Sequence, residues 1–193
     1  LRFYFIFNGP EVKDISCSIE EMITVHNKFL VGTLGNFINR NFSFINKKFE
    51  GIITEGKVDS KIKETTLNTY KEVGELIEKG ELKSALSKLM DYISLGNKYY
   101  DENTPWIKVK ENIAEFNDIT YTCTYMIVNI ANLIRPFLSE TSEKILNMLN
   151  ISKESNWQEK ELTGNIKIVN NELLFNRIDD EETKSIMDKL NNK

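Results

Sequence analysis

One stretch of the sequence combines residue types that could bind an anionic partner. The chain carries 29 Asp and Glu residues in 193 positions, yet none falls between Glu21 and Glu50. Asn36 and Arg40 lie in this acid-free run with Asn39, and helical positions four apart share one face. Asn and Arg side chains are suited to bidentate hydrogen bonding with base edges. The run therefore predicts a face that binds nucleic acid, and the alternative is an ordinary solvated helix face.

Residues on either side of the Asn-x-x-x-Arg pair extend this candidate face. Gly32 and Gly35 lower the surface about one turn earlier, which would let a large planar group approach. Lys47 and Lys48 follow Arg40 by about two turns. At that distance we expect them to contact phosphate groups, which adds affinity without base specificity.

Trp106 is the second candidate. Thr104 as N-cap and Pro105 at the first helical position predict that a helix begins directly before it. The free N–H groups of a helix N-terminus favour anions, and an aromatic ring placed there can stack on an unpaired base. The alternative is a core tryptophan that anchors the helix start, and the residues alone leave both interpretations open.

The patterns that common catalytic and metal sites require are missing from the sequence. It has one histidine, His26, and two widely separated cysteines, Cys17 and Cys123. It contains no glycine-rich phosphate loop, no Gly-x-Ser-x-Gly and no Cys-x-x-Cys pair. The sequence therefore predicts no catalytic residue and no metal site in this chain.

Composition predicts a folded protein in a reducing compartment. Hydrophobic residues make up 40% of the chain and charged residues 28%, which is enough apolar material for a packed core. A net charge of −4 argues against a globally basic nucleic-acid coat but permits a local basic face. The cysteine usage and the lack of a long apolar run predict a cytoplasmic location without a membrane span. Because the chain opens at Leu1 without an initiator methionine, we expect an excised fragment.

Apolar spacing predicts helices in the first half of the chain. After a short apolar segment and a turn, Ser18 is the predicted cap of one helix of about 30 residues that ends at Gly51. Residues 51–59 are predicted to form a loop. Ser60 is the predicted cap of the next helix, and a single glycine, Gly80, joins it to a third as an antiparallel hairpin.

The second half adds two bundle helices and a different tail. A fourth helix is predicted to begin at Thr104, to be apolar nearly all round from residue 112, and to end at Arg135 in the middle of a bundle. Ser139 caps a fifth helix, residues 151–178 are extended or hairpin-like, and a last helix begins at Asp179. The predicted fold is an all-α bundle of about five helices with a C-terminal extended or hairpin segment and a final helix.

Five segments, in the same order along the chain, resemble segments of bacterial methionyl-tRNA synthetases. The run from Leu34 to Gly51 resembles the family's Leu-Gly-Asn-x-x-x-Arg…Phe-Ile-Asn-Lys…Gly. The resemblance covers essentially the whole chain, and it departs from the family at Leu138-Ser139 and at Cys17. The other segments are Leu1-Arg2-Phe3-Tyr4 with Gly9-Pro10-Glu11 and Asp14, Asn97-Lys98-Tyr99 with Thr104-Pro105-Trp106, Arg135-Pro136-Phe137-Leu138-Ser139-Glu140-Thr141-Ser142-Glu143-Lys144-Ile145, and Leu174-Phe175-Asn176-Arg177-Ile178-Asp179.

The resemblance implies an anticodon-binding domain cut from a larger class I ligase. In the family, the residues that match Asn36, Arg40, Pro105 and Trp106 bind the CAU anticodon of methionine tRNA. Residues 1–17 would then be a connector, 18–150 the anticodon-binding bundle and 151–193 a C-terminal extension.

The resemblance also implies what the rest of the parent protein does. A catalytic domain upstream would activate methionine with ATP and magnesium, carry a structural zinc site, and transfer methionine to tRNA. This fragment would hold no cofactor. Its expected partners are methionine tRNA and the parent's catalytic domain, and neither DNA nor a membrane.

Two alternatives stay open from the sequence. The first is the equivalent domain of another class I synthetase, such as the leucine or cysteine enzyme, and the Asn-x-x-x-Arg and Pro-Trp motifs together argue against it. The second is a helical protein-interaction module without RNA affinity, and the acid-free run argues against that.

Overall fold

Helices dominate the residues that the structure, a computed structural model, describes: 1–9, 18–152 and 156–191. The predicted all-α class is confirmed. The helices are α1 (Arg2–Phe7), α2 (Ile19–Val25), α3 (Asn36–Phe49), α4 (Ser60–Glu78), α5 (Leu82–Asn103), α6 (Pro105–Glu111), α7 (Ile113–Ile134), α8 (Ser139–Met148) and α9 (Asp180–Asn191), with a π-helical segment His26–Gly35 and the strands β1 (Ile52–Ile53) and β2 (Ile166–Lys167).

The chain follows one helical path from α2 through α3. The predicted cap is confirmed, because Ser18 Oγ accepts a hydrogen bond from the backbone N–H of Glu21 at 3.3 Å. The prediction of one uniform α-helix is wrong, since the π-helical segment separates α2 from α3. A Cβ on Gly35 would lie 3.0 Å from the carbonyl oxygen of Leu30, so a glycine suits the wide turn at this point. The path ends where Glu50 adopts a left-handed conformation with φ of 52°.

The helices α4 and α5 form the predicted antiparallel hairpin. Lys88 of α5 pairs with Glu72 of α4, and Tyr92, further along α5, reaches back to Thr66, nearer the start of α4. The predicted cap of α4 is wrong by one residue. The Asp59 side chain caps this helix by accepting from the N–H groups of the second and third helical residues, at 2.9 and 3.0 Å.

A glycine sets how closely α5 approaches α3. A Cβ on Gly96 would lie 2.6 Å from two ring atoms of Phe37, which is closer than packed atoms come. Phe37 is 1% exposed, so its ring lies within the packed core. The two helices can therefore pack at this distance only because position 96 has no side chain.

The predicted fourth helix is in fact two helices. Asn112 leaves the helical region, with φ of −153° and ψ of 93°, and its side chain caps α7 by accepting from the N–H of Glu115 at 3.3 Å. The central position predicted for the apolar part is confirmed, because α7 is buried continuously from Ile119 to Ile134. The start of α8 differs by one residue from the prediction, with Leu138 and not Ser139 in the N-cap position.

The C-terminal segment contains the extended strand β2, and within its described residues it does not pair with itself as a hairpin. In β2, Ile166 lies opposite Ile53 and Lys167 opposite Ile52, so β1 forms within the predicted loop 51–59. A hairpin needs local turn signals, whereas this antiparallel pair joins segments more than a hundred residues apart. The final helix has the predicted acidic start, and Asp179 caps it by accepting from Glu182 N–H at 2.8 Å.

Two buried asparagines of α7 hold the chain that leads to β2. Asn129 accepts from the N–H of Lys160 at 2.8 Å and donates to its carbonyl oxygen at 3.0 Å. Asn132 donates to the carbonyl oxygens of Asn156 and Gln158, both at 3.0 Å. The extension is thereby bonded to the middle of the bundle.

Cys17 and the remainder of the segment 10–17 lie outside the described residues. The predicted division into a connector, a bundle and an extension therefore stays a prediction. Within the described ranges, no helix has both the length and the apolar character needed to cross a bilayer.

We expect Gly96→Ala to lower the free energy of unfolding by about 1–3 kcal/mol, because the added methyl group overpacks the contact with Phe37. Thermal or denaturant unfolding measures the change. Ser94→Ala, on the exposed side of the same helix, is the matched control and should shift stability by less than about 0.5 kcal/mol. Equal stability of the two variants would contradict the tight packing of α3 on α5.

Candidate nucleic-acid interface

The helices α3 and α5 lie side by side in a parallel register at the predicted site. Asn36 Nδ2 donates to Asn97 Oδ1 at 3.0 Å, and Arg40 Nη2 donates to Asp101 Oδ1 at 2.5 Å. Both pairs join residues 61 positions apart, so one turn of α3 matches one turn of α5. The predicted pair on α3 thus has a polar counterpart on α5 with the same spacing.

Asn36 is fixed by a chain of hydrogen bonds. Its partner Asn97 donates in turn to the carbonyl oxygen of Thr33 at 3.0 Å, within the π-helical segment. Asn36 is half-buried. Its amide therefore lies at the rim of the packed core in an orientation set by α5.

Arg40 is held on two sides. Besides its ion pair with Asp101, its guanidinium lies over the ring of Tyr100, with Cζ 4.7 Å from the ring centroid. The hydrogen bond between Arg40 and Asp101 raises the pKa of Arg40 and lowers that of Asp101, so both groups stay ionised at neutral pH. A guanidinium has several N–H donors in a planar fork, so donors remain for a further partner.

Tyr100 connects Arg40 to Trp106. The Tyr100 and Trp106 ring centroids are 5.8 Å apart with an interplanar angle of 42°, and the Tyr100 hydroxyl donates to the Arg40 carbonyl oxygen at 3.4 Å. Burial raises the pKa of Tyr100 to about 12, so the phenol keeps its proton. Trp106 itself is 40% exposed. The sequence left two interpretations of Trp106 open, a base-stacking ring and a core anchor. The ring has features of both, because it packs on Tyr100 and also presents surface to solvent.

The backbone has an unusual conformation between α5 and α6, directly before Trp106. Thr104 adopts φ of 44° and ψ of 57°, a left-handed conformation that is strained for a β-branched residue. Pro105 follows as the first residue of α6 and is buried. The predicted position of Thr104 before the helix is confirmed, but its side chain makes no cap hydrogen bond among the described residues. The sharp junction folds α6 back so that Trp106 meets α5.

The remaining predicted residues lie further along α3. Asn39 accepts from Ser43 Oγ at 2.8 Å, and Asn171 of the C-terminal extension donates to that hydroxyl at 3.3 Å. Lys47 and Lys48 are exposed in the last turn of α3. The structure therefore places the lysines at one end of the α3 surface, separate from the contacts that join Arg40 to Trp106.

The predicted open surface at the two glycines is partly covered. A Cβ on Gly35 would lie 3.5 Å from Cδ2 of Phe175, a residue of the C-terminal extension. A cleft of about 410 Å³ remains, with Gly32, Asn39 and Leu173 among its lining residues. Approach of a planar group at these glycines stays a prediction, and the extension, distant in sequence, forms one wall of the cleft.

Three residues that sequence reasoning did not assign to the site complete the cluster: Asn97, Tyr100 and Asp101. They recur at i, i+3 and i+4 on α5, and two of them are polar at a four-residue spacing like that of Asn36 and Arg40. This matching spacing is the sequence signal that could have placed the residues of α5 beside Asn36 and Arg40. Although the run between Glu21 and Glu50 has no acidic residue, α5 brings an acidic side chain, Asp101, into contact with Arg40.

His26 and Cys123 have structural surroundings. His26 Nε2 lies 2.9 Å from the carbonyl oxygen of Asn176, and its ring meets Phe175 edge-on. Cys123 is fully buried in α7, and this burial raises the pKa of its thiol. The described part of the chain holds no group of His, Cys, Asp and Glu side chains that could bind a metal ion.

Comparison with known proteins assigns the chain to a family. A family model described as the anticodon binding domain of methionyl tRNA ligase matches residues 52–193, and one described as class I tRNA synthetases (M) matches residues 1–42. The helical bundle is thus of the tRNA-ligase anticodon-binding type. The chain belongs to the methionyl-tRNA ligase family, as an anticodon-binding domain. This match argues against a leucine or cysteine ligase domain and against an unrelated interaction module.

The candidate site draws on both matched segments. Asn36 and Arg40 fall in the shorter match and Pro105 and Trp106 in the longer one. The interface between α3 and α5 therefore joins sequence that the two family models treat separately.

Relatives agree with this assignment, and a solved structure shares the fold. The chain is 39% identical to methionine–tRNA ligase 1 of Alkaliphilus oremlandii over 93% of this chain and 33% of that protein. It is 38% identical to methionine–tRNA ligase of Bacillus anthracis over 98% and 35%. The apo methionyl-tRNA synthetase of Mycobacterium tuberculosis shares the fold, with a TM-score of 0.81 at 23% identity over 91% of this chain and 38% of that one. The chain spans about a third of the length of these relatives.

We expect Thr104→Gly to be more stable than Thr104→Ala by about 1 kcal/mol, because a left-handed conformation costs an L-residue about that much and glycine nothing. Both substitutions remove the Thr hydroxyl and γ-methyl groups, so their difference reports the cost of a Cβ in the left-handed conformation. Denaturant unfolding of the two variants measures it. A Thr104→Ala variant as stable as Thr104→Gly would show that the junction before α6 is not strained.

Proposed function

We propose that this chain binds the anticodon of a tRNA through Asn36, Arg40 and Trp106. The observation that carries the proposal is the cluster itself. Residues from α3 and α6, more than sixty positions apart in sequence, form one partly exposed surface through Asn97, Tyr100 and Asp101. An amide, a guanidinium and an indole are the side chains that such a surface needs to hydrogen-bond and stack unpaired bases.

Each residue has a distinct role in the proposal. The donors of Arg40 that Asp101 does not use, together with the Asn36 amide, hydrogen-bond to the edges of anticodon bases. The exposed part of Trp106 stacks on a base, and the buried Pro105 ahead of it keeps the helix start stiff. The motif resemblance supports CAU, the methionine anticodon, as the sequence that is bound.

Asn39, Lys47 and Lys48 have supporting roles. Asn39 flanks the base-binding pair, and the two lysines contact phosphate groups of the anticodon arm. Lys47 lies seven positions after Arg40, which is about 10 Å along a helix.

The parent protein is proposed to be a methionine–tRNA ligase. The relatives that carry this name support it, and this chain spans a third of their length. In the proposal, an upstream domain activates methionine with ATP and magnesium, carries a zinc site and charges the tRNA in the cytoplasm. The present chain then supplies tRNA discrimination and no catalytic group.

We expect Arg40→Ala to weaken binding of a CAU anticodon stem-loop and to relax discrimination at one anticodon base by about 1–3 kcal/mol, the range measured for bidentate base contacts in DNA. Fluorescence anisotropy with CAU and single-base variants of the loop measures both effects. Lys47→Ala is the matched control on the same helix. It should weaken all loops equally and reduce the slope of log K against log salt by about 0.7, the value for one single-stranded phosphate contact.

An equal loss for CAU and unrelated loops in Arg40→Ala would assign Arg40 to phosphate instead of a base. Full retention of binding in both variants would contradict the proposed interface.

We expect Trp106→Ala to cost about 1–3 kcal/mol of RNA binding, because one base loses its stacking partner. Its stability loss should stay below the roughly 3–5 kcal/mol of a fully buried tryptophan, since the side chain is 40% exposed. Melting and stem-loop binding are measured on the same variant. Trp106→Phe is the control and should restore part of the affinity, because a smaller aromatic face still stacks.

Binding that disappears only at temperatures where Trp106→Ala is unfolded would make Trp106 a core anchor and remove it from the interface.

A further inference from the structure

We propose that Tyr100 is a positioning residue that couples Arg40 to Trp106, so that the base-edge contact and the stacking contact form one preorganised unit. This inference rests on the proposed anticodon binding. It concerns a residue that does not itself reach the RNA, because Tyr100 is 4% exposed. Its effect on binding is therefore exerted entirely through its two neighbours.

The ring of Tyr100 contacts both neighbours in specific geometries. The Arg40 guanidinium lies 4.7 Å from its centroid, and a cation over a tyrosine face is attracted by the ring quadrupole. The Trp106 ring is tilted by 42° at 5.8 Å, within the range of favourable aromatic pairs. One side chain thus sets the direction of the guanidinium and the plane of the indole.

The orientation of the Tyr100 ring is itself fixed. Its hydroxyl donates to the Arg40 carbonyl oxygen, which ties the far end of the ring to the backbone of α3. Asp101, the next residue on α5, holds the other side of the guanidinium. Arg40 and Trp106 are thereby placed before any RNA binds, which reduces the entropy lost when the complex forms.

A tyrosine that only fills the core would behave differently. Its truncation would lower stability but would leave Trp106 as ordered as before and the two RNA contacts independent of each other. A coupling residue changes both properties. Tyr100→Phe keeps the ring and Tyr100→Leu removes it, so this pair of variants separates the ring contacts from the hydroxyl.

The first measurement needs no RNA. Trp157→Phe leaves Trp106 as the single tryptophan, and acrylamide quenching of its emission reports how firmly the indole is packed. We expect Tyr100→Leu to increase the quenching constant about twofold and Tyr100→Phe to increase it by less, because phenylalanine keeps the ring and loses only the hydroxyl contact. Tyr92→Leu is the matched control, because Tyr92 is equally buried on the same helix and contacts Thr66 instead of the site. It should lower the melting temperature without changing the quenching.

The second measurement is a double-mutant cycle on binding of the CAU stem-loop. With Tyr100 present, we expect Arg40→Ala and Trp106→Ala to be non-additive by about threefold to tenfold, as for groups that share a partner. In the Tyr100→Leu background the two changes should become additive, and Tyr100→Leu alone should weaken binding about fivefold to tenfold, the effect of one cation–π contact. If Tyr100→Leu does not fold, Tyr100→Met takes its place, since methionine adapts to irregular cavities.

The outcomes separate this inference from the function on which it rests. Unchanged binding in both Arg40→Ala and Trp106→Ala would overturn the proposed anticodon interface. A second outcome is that Arg40→Ala and Trp106→Ala both lose binding but stay non-additive in the Tyr100→Leu background. This would overturn the role of Tyr100 and leave the anticodon interface standing. Increased quenching in Tyr92→Leu equal to that in Tyr100→Leu would likewise reduce Tyr100 to a packing residue.

Discussion

The close approach of α3 to α5 at Gly96 is the contact on which the candidate site depends. Without a side chain at position 96, Phe37 packs directly on the α5 backbone, and the parallel register of the two helices follows. That register aligns Asn36 with Asn97 and Arg40 with Asp101. A shift by one residue would rotate each side chain about 100° around its helix and would break both pairs.

The C-terminal extension depends on the bundle in a comparable way. It is held by hydrogen bonds to buried side chains of α7, chiefly Asn129 and Asn132, and by apolar residues such as Ile166 and Ile168 that join the core. A buried amide that lost its partners would cost about 1–3 kcal/mol, so the extension cannot detach cheaply. From that attachment the chain runs through β2 to Asn171 and Phe175, which cover one side of α3.

Electrostatics at the site differ from what the charge pattern suggests. The acid-free run makes α3 basic in sequence, yet in the free protein the negative charge of Asp101 offsets the positive charge of Arg40. The pair is partly exposed, so its contribution to stability is small. Its larger consequence is geometric, because Asp101 and the Tyr100 ring restrict the guanidinium from two directions. The free protein therefore presents an oriented cation, together with exposed lysines at the end of α3.

Local signals in the sequence determined most of the helical elements. The Ser18 cap, the turn at Gly80 and the all-round apolar pattern of α7 each depend on residues within a few positions, and each was predictable. Asn36, Arg40 and Trp106 were likewise selected by residue type, spacing and motif resemblance. These features share a physical basis, since caps, turns and helical faces are set by neighbours along the chain.

Tertiary structure alone decided the rest. The β1–β2 pair, the cover of Phe175 over Gly35 and the ion pair of Arg40 with Asp101 join residues 61 to more than a hundred positions apart. The π-helical segment and the left-handed Thr104 are backbone conformations that local propensity disfavours, so packing must impose them. The sequence therefore determined which residues could contact a nucleic acid, and only the packing of α3, α5 and α6 decided that they form one surface.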